Sequence, residues 1–263
     1  MSSREIIDCY RYEDAVERAK CHKRLFHYTT FNALKCIIDN KSLRLTRIDL
    51  LNDFVEDGKI VDLWKGKVFV SCFSFRERES YFFWRTYAKG SEDGVILSFE
   101  REKLEEGRIF PDAKCEQEPL ELCKKTDIRQ QYSENIDAAT WGVYDYSIVD
   151  ITYIPREYRV RDNDNFQGRI KYAEWDMESE TRIRVAIRPK CSEIVLGKKG
   201  FEYRLPKEKY VYLRLSKECL QSMSITLSPF ADEELKSKVY QLIRENNLQN
   251  YISVVPSVLT GEI

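Results

Sequence analysis

The chain has 263 residues, 43% apolar and 13% aromatic, enough to bury a sizeable core and too apolar for a largely disordered protein. Its 43 lysines and arginines nearly balance 44 aspartates and glutamates, so no global field draws it to nucleic acid or an acidic membrane, and only a local basic groove stays open. Eight cysteines without a C-x-x-C pair, no signal-peptide pattern and no apolar run near membrane length give the expectation of a cytoplasmic protein with reduced thiols and no membrane contact.

No repeat, low-complexity block or Pro/Gly/Ser-rich linker divides the sequence, so one domain over 1–263 is expected. YRYEDAVERAK (10–20) reads as a short helix, and LFHYT (25–29) as a buried strand. Thr29 or Thr30 then caps a helix whose apolar positions are Phe31, Leu34, Ile37 and Ile38, and SLRLT alternates as a strand should. VFVSCFSF (68–75) predicts a strand, SYFFWRTYA (80–88) a helix and GVILSFE (94–100) another strand, after which a charged, weakly periodic insertion is expected around 101–142. YSIVDITYI (146–154), TRIRVAI (181–187), YVYLRL (210–215) and SMSITLS (222–228) predict further strands. The helix ADEELKSKVYQLIREN (231–246) and the strand ISVV (252–255) complete the chain, and strands without a regular βα alternation point to the α+β class.

None of the ten glycines forms a G-x-G-x-x-G or P-loop cradle, no G-x-S-x-G elbow occurs, and Cys21 beside His22 is no zinc spacing. Polar groups stand out in apolar strand sequence at three places: His27 with Thr29, Ser71 with Ser74, and Glu178 with Glu180. If the last strand starts early enough, both glutamates lie on one face of it, an arrangement usually kept for a wet surface or for a carboxylate with chemistry to do. Each place also has a structural reading. His27 can bond a neighbouring carbonyl, the serines can fill a strand, and the glutamates can lie on the solvent face of an edge strand, paired with Arg182 or Arg184.

In order, HYTT…L…I…SLRLT…LNDFVE, FVSCFS, FWRTYAKG…GVILSF and KYAEWDMESETRI resemble the bacterial domain-of-unknown-function family 2971, over roughly residues 24–187. That family carries proline after Asn-Asp, where this chain has Phe54. The family in turn resembles distant ADP-ribosyltransferases, in which His with a nearby Thr, a Ser-x-Ser-like strand and a Glu-x-Glu strand follow one another. The resemblance implies an α+β fold with a split, mostly antiparallel β-sheet core of ADP-ribosyltransferase type flanked by helices. It implies NAD as substrate, with His27, Tyr28, Thr29, Ser71 and Ser74 binding it and Tyr81 or Tyr87 stacking on nicotinamide. Glu180 then faces the oxocarbenium-like ribose, and Glu178 orients or activates the acceptor.

Asn52 and the arginines Arg44, Arg47, Arg76, Arg78 and Arg85, interleaved with aromatics, are candidates for contacts to a nucleic-acid acceptor, with a protein acceptor as the alternative. The implied setting is a bacterial toxin or phage-defence effector, with an antitoxin protein as a possible partner. Two rivals stand beside this reading. One is a magnesium-dependent nuclease or nucleic-acid-binding defence protein using Asp53, Glu56 and Glu180; the other is a non-catalytic interaction module in which the polar sites are structural.

Overall fold

Continuous runs of β-branched and aromatic residues, and alternation of apolar with polar ones in SLRLT, TRIRVAI and YVYLR, generate the main strands in a computed structural model, which describes residues 12–51, 67–88, 92–105, 107–120, 141–155, 168–189, 195–197, 200–202 and 208–262. Helix α1 (Tyr12–Lys20) leads into β1 (Arg24–Thr30), α2 (Phe31–Asn40) and β2 (Ser42–Arg47); β3 (Val68–Ser74), α3 (Tyr81–Thr86) and β4 (Gly94–Glu100) come next. They are followed by α4 (Arg101–Glu105), β5 (Ile109–Phe110), β6 (Trp141–Asp150), β7 (Thr152–Ile154), β8 (Ile170–Tyr172), a 3-10 turn (Ala173–Glu178) and β9 (Glu180–Pro189). A hairpin of β10 (Val195–Gly197) and β11 (Gly200–Glu202) precedes β12 (Tyr210–Arg214), α5 (Lys217–Gln221), β13 (Ser224–Leu227), α6 (Glu233–Glu245) and β14 (Ser253–Val255).

Ten strands form one sheet in the order β14-β13-β4-β1-β3-β2-β12-β5, with β9 also paired to β3 and β6 to β9. Every pair in it is antiparallel except β13 with β14. The protein is thus a mixed α and β structure built on a largely antiparallel sheet. The core lies where Leu34, Ile37 and Ile38 of α2 and Leu235, Val239, Leu242 and Ile243 of α6 meet Leu25, Leu45, Phe69, Phe73, Leu97 and Ile183 of the strands. Burial of that apolar surface is the main stabilising term.

Strand β3 organises the sheet. Residues Val68 to Ser74 all pair with β9 along one edge, so the opposite edge must serve both β1, at Phe26–Ser74, and β2, at Thr46–Val70 and Arg47–Phe69. Between those contacts, at Ser71 to Phe73, no strand among the described residues pairs with that edge. There the sheet is split.

Local geometry departs from the sequence expectations in several places. Thr30 occupies the N-cap position of α2, but its hydroxyl makes no capping bond; the first helical amide, Phe31 N–H, donates instead to the Asp93 carbonyl at 2.8 Å. The segment 146–154 is not one strand. Its ladder ends at Asp150–Thr181 because β9 itself begins at Glu180, and the chain then turns away so that β7 pairs in parallel with β8. Glu178 lies outside β9, separated from it by Ser179 in the left-handed region at φ 44°, so strand alternation does not put the two carboxylates together. Nor is β9 an edge strand: β3 and β6 flank it. In the expected insertion, α4 and β5 belong to the main fold, with Leu104 buried and Phe110 paired to Tyr212.

Candidate functional site

The split opens into a cleft of about 660 Å³, within the range of small-molecule sites. His27, Tyr28 and Thr29 of β1, Ser71, Cys72 and Ser74 of β3, Tyr87 after α3, and Glu178 and Glu180 around the start of β9 all line it. The gap at Cys72 is bridged by a side chain: His27 Nδ1 lies 2.8 Å from the Cys72 carbonyl oxygen. A carbonyl only accepts, so Nδ1 carries the proton and Nε2 of the neutral ring keeps its lone pair. Desolvation, with the charge of Arg44 acting in the same sense, lowers the His27 pKa and keeps the ring neutral. The structural role open to His27, a bond to a carbonyl, is therefore filled through one ring nitrogen while the residue also lines the cleft.

The two glutamates meet on a buried lysine. Lys171 Nζ of β8 lies 2.5 Å from Glu178 Oε2 and 2.8 Å from Glu180 Oε2, and all three side chains are almost fully buried. Arg182 completes the cluster with Nε 2.5 Å from Glu180 Oε1, and the Tyr87 hydroxyl donates to Glu178. Burial alone would push the Glu180 carboxyl up, but the charges of Arg182 and Lys171 outweigh it and hold the group at about 2. Glu178 has no arginine, so burial prevails over Lys171 and, with the neighbouring charge of Glu180, raises its pKa. Two carboxylates in one cleft are thereby driven apart in acidity, the arrangement that suits one permanent anion and one proton carrier. Cys72 stands beside Glu180, and burial pushes its thiol up, which makes it an inert wall.

A scaffold fixes the turn that carries these groups. Ser74 Oγ donates to the Glu178 carbonyl at 3.1 Å and Arg76 Nε to Ser179 Oγ at 2.6 Å. The amide of Glu180 donates to Tyr153 Oη at 3.0 Å, and its carbonyl accepts from Ile151 N–H at 2.9 Å. On the far side of β9, Thr181 Oγ1 donates to Asp150 at 2.6 Å, and Asp150 also meets His22 Nε2 at 2.9 Å.

Nine side chains singled out in the sequence, Arg44 of β2 among them, thus share one cleft, whereas the rest take other places. Tyr81 is exposed and packs edge-on to Phe230 rather than lining the cleft. Arg78 and Arg85 are exposed and absent from the cleft wall, and Arg76 is committed to Ser179. Asn52, Asp53 and Glu56 lie outside the described residues. Arg182 does pair with a glutamate, but in the interior, and Arg184 pairs with Asp145 instead. Sequence reasoning gave no role to Lys171, although a lone lysine between Ile170 and Tyr172 in a strand-like triplet is itself an anomaly. No group of three or more potential metal ligands occurs among the described residues. No helix among them is long and apolar enough to cross a membrane.

No protein-family model, curated protein or solved structure matches this chain.

Proposed function

We propose that the protein is an NAD-dependent ADP-ribosyltransferase acting in the bacterial cytoplasm, as a toxin or phage-defence effector, on a nucleic-acid or protein acceptor. The observation that carries this reading is the convergence of His27, Thr29, Ser71, Ser74, Glu178 and Glu180 on one cleft at a split in an antiparallel sheet. The cleft has room for an extended nucleotide, and Nε2 of His27 offers an acceptor for a ribose hydroxyl. The edge of β1 that faces β3 is paired, among the described residues, at Phe26 alone, and in this reading backbone groups further along it hold the carboxamide. Tyr87 is the aromatic available to nicotinamide, since Tyr81 faces elsewhere.

In the reaction the bond between ribose C1 and the nicotinamide nitrogen breaks, and nicotinamide leaves with the electron pair. The acceptor's O–H or N–H heteroatom bonds to C1, and its proton passes to Glu178. Glu180, held ionised, stabilises the positive charge on the ribose as it develops. Acceptor contacts fall to Arg78 and Arg85, because Arg76 is occupied. An antitoxin would act by covering the cleft. The magnesium reading, built on Asp53, Glu56 and Glu180, has no observation in its favour among the described residues, where Glu180 already holds Lys171 and Arg182.

Incubation with labelled NAD and a mixture of RNA, DNA and protein tests the reading. The expected result is label transfer with release of nicotinamide, reduced about 100- to 1000-fold by Glu180→Gln, the scale of losing one preorganised electrostatic group. No NAD turnover with any acceptor would overturn it.

A further inference from the structure

The cleft is electrically uneven. On the β9 side of β3, Glu178 and Glu180 are balanced by Lys171 and Arg182; on its β2 side stands Arg44, which also lines the cleft. Arg44 alternates with the buried Leu43 and Leu45, so it points away from the core. Continuing the β2–β3 register from Thr46–Val70 sets Arg44 level with Cys72, and continuing the β1–β3 register from Phe26–Ser74 sets Tyr28 at that same level. Arg44 and the His27–Tyr28 pair therefore form opposite lips of the split, in keeping with the effect of the Arg44 charge on His27.

Arg44 has no carboxylate partner among the described residues. Its neighbour Arg47 on the same strand is paired with Asp49 at 2.7 Å, and Asp112, whose charge acts on Tyr212 together with that of Arg44, accepts from the amides of Glu116 and Gln117 at 3.1 Å each. What Arg44 does have is a platform: its guanidinium lies 4.8 Å from the centre of the Tyr210 ring. Stacking of this kind orients the plane and leaves the N–H edge free for a planar or tetrahedral anion. Thr46 and Tyr212 line the cleft with it, as do Asn32 and Asn40 of α2; of these Asn40 Nδ2 already donates to the Cys36 carbonyl at 2.9 Å. A cation without an acid among the described residues, held over an aromatic ring in a cleft that also has polar side chains in its wall, is the chemistry of a phosphoryl subsite.

We propose that Arg44 and its neighbours bind the diphosphate of a nucleotide whose other end reaches Glu178 and Glu180. This rests on the NAD reading for the identity of the whole ligand, but the anion subsite is separately testable. Inorganic pyrophosphate, ADP-ribose, adenosine and a short single-stranded RNA are titrated calorimetrically into the wild-type protein and into Arg44→Ala and Arg44→Lys, with circular dichroism to verify the fold. Arg44→Ala should weaken pyrophosphate and ADP-ribose by about tenfold or more, the scale of losing a charged hydrogen-bond donor, and leave adenosine unchanged. Arg44→Lys should recover part of the loss. Equal affinity of wild type and Arg44→Ala for ADP-ribose would overturn the proposal. So would a loss confined to the RNA, which would assign Arg44 to an acceptor backbone. If Arg44-dependent pyrophosphate binding is found without NAD turnover, the subsite stands and the transferase reading falls; if NAD is turned over with an unchanged KM in Arg44→Ala, the reverse holds.

Discussion

Two carboxylates so close in the chain repel unless a positive charge stands between them, and Lys171 supplies that charge to Glu178 and Glu180 at once. Replacing it with methionine should destabilise the fold by about 3–5 kcal/mol, because it leaves an uncompensated buried charge, and should raise the pKa of both glutamates. In turnover assays the acid limb of the pH profile would then move to higher pH. Glu180, depressed to about 2 from an ordinary value of 4.5, contributes on the order of 3 kcal/mol that is fully present above pH 4.5 and is lost as pH falls towards 2. Glu178 acts with the opposite sign: its raised pKa costs stability at neutral pH, and the cost is relieved as pH falls through its folded value. Denaturant midpoints followed from neutral pH down towards the ordinary value of 4.5 should show that gain in the wild type and not in Glu178→Gln. The glutamates were legible in the sequence as a pair with a role, whereas Lys171, though equally out of place in its triplet, was not, because its meaning depends on a loop that folds back seven residues and on Tyr87 from another part of the chain.

Single elements were the most legible part of the chain, since alternation and 3.6-residue spacing are local properties; GVILSFE, for example, is strand β4 over its full length. What they hid was the turn before β9. Serine has no special preference for the left-handed region, so nothing in MESE announces that Ser179 adopts it. The turn is held from outside, by Ser74 and Arg76, and this separates two arginines that look alike in sequence. Arg76→Ala should lower stability by about 1.5 kcal/mol through loss of a charged hydrogen bond, whereas Arg78→Ala, on an exposed site, should stay within about 0.5 kcal/mol. Urea denaturation of the two variants decides this directly. If Arg78→Ala instead impairs modification of an RNA oligonucleotide without affecting NAD hydrolysis, its place is with the acceptor.

Across the whole molecule the cleft exists because β1 and β2 share one edge of β3 without meeting each other there. Such pairing is non-local and leaves no mark in any short window of sequence; only the order of the three polar motifs hinted that they converge. Both sides of the split are also interleaved in the chain. On one side β1 and β4 need β13 and β14, and on the other β2 needs β12. A fragment ending at residue 207 keeps His27, Lys171, Glu178 and Glu180 but lacks β12 and β13, and should show no cooperative thermal transition by circular dichroism. Each side of the cleft thus waits for strands that follow residue 207. A nascent chain in which His27, Lys171, Glu178 and Glu180 have emerged but β12 and β13 have not carries every polar group of the cleft and no cleft, so on the proposed reading its chemistry would be withheld during synthesis until those strands pair.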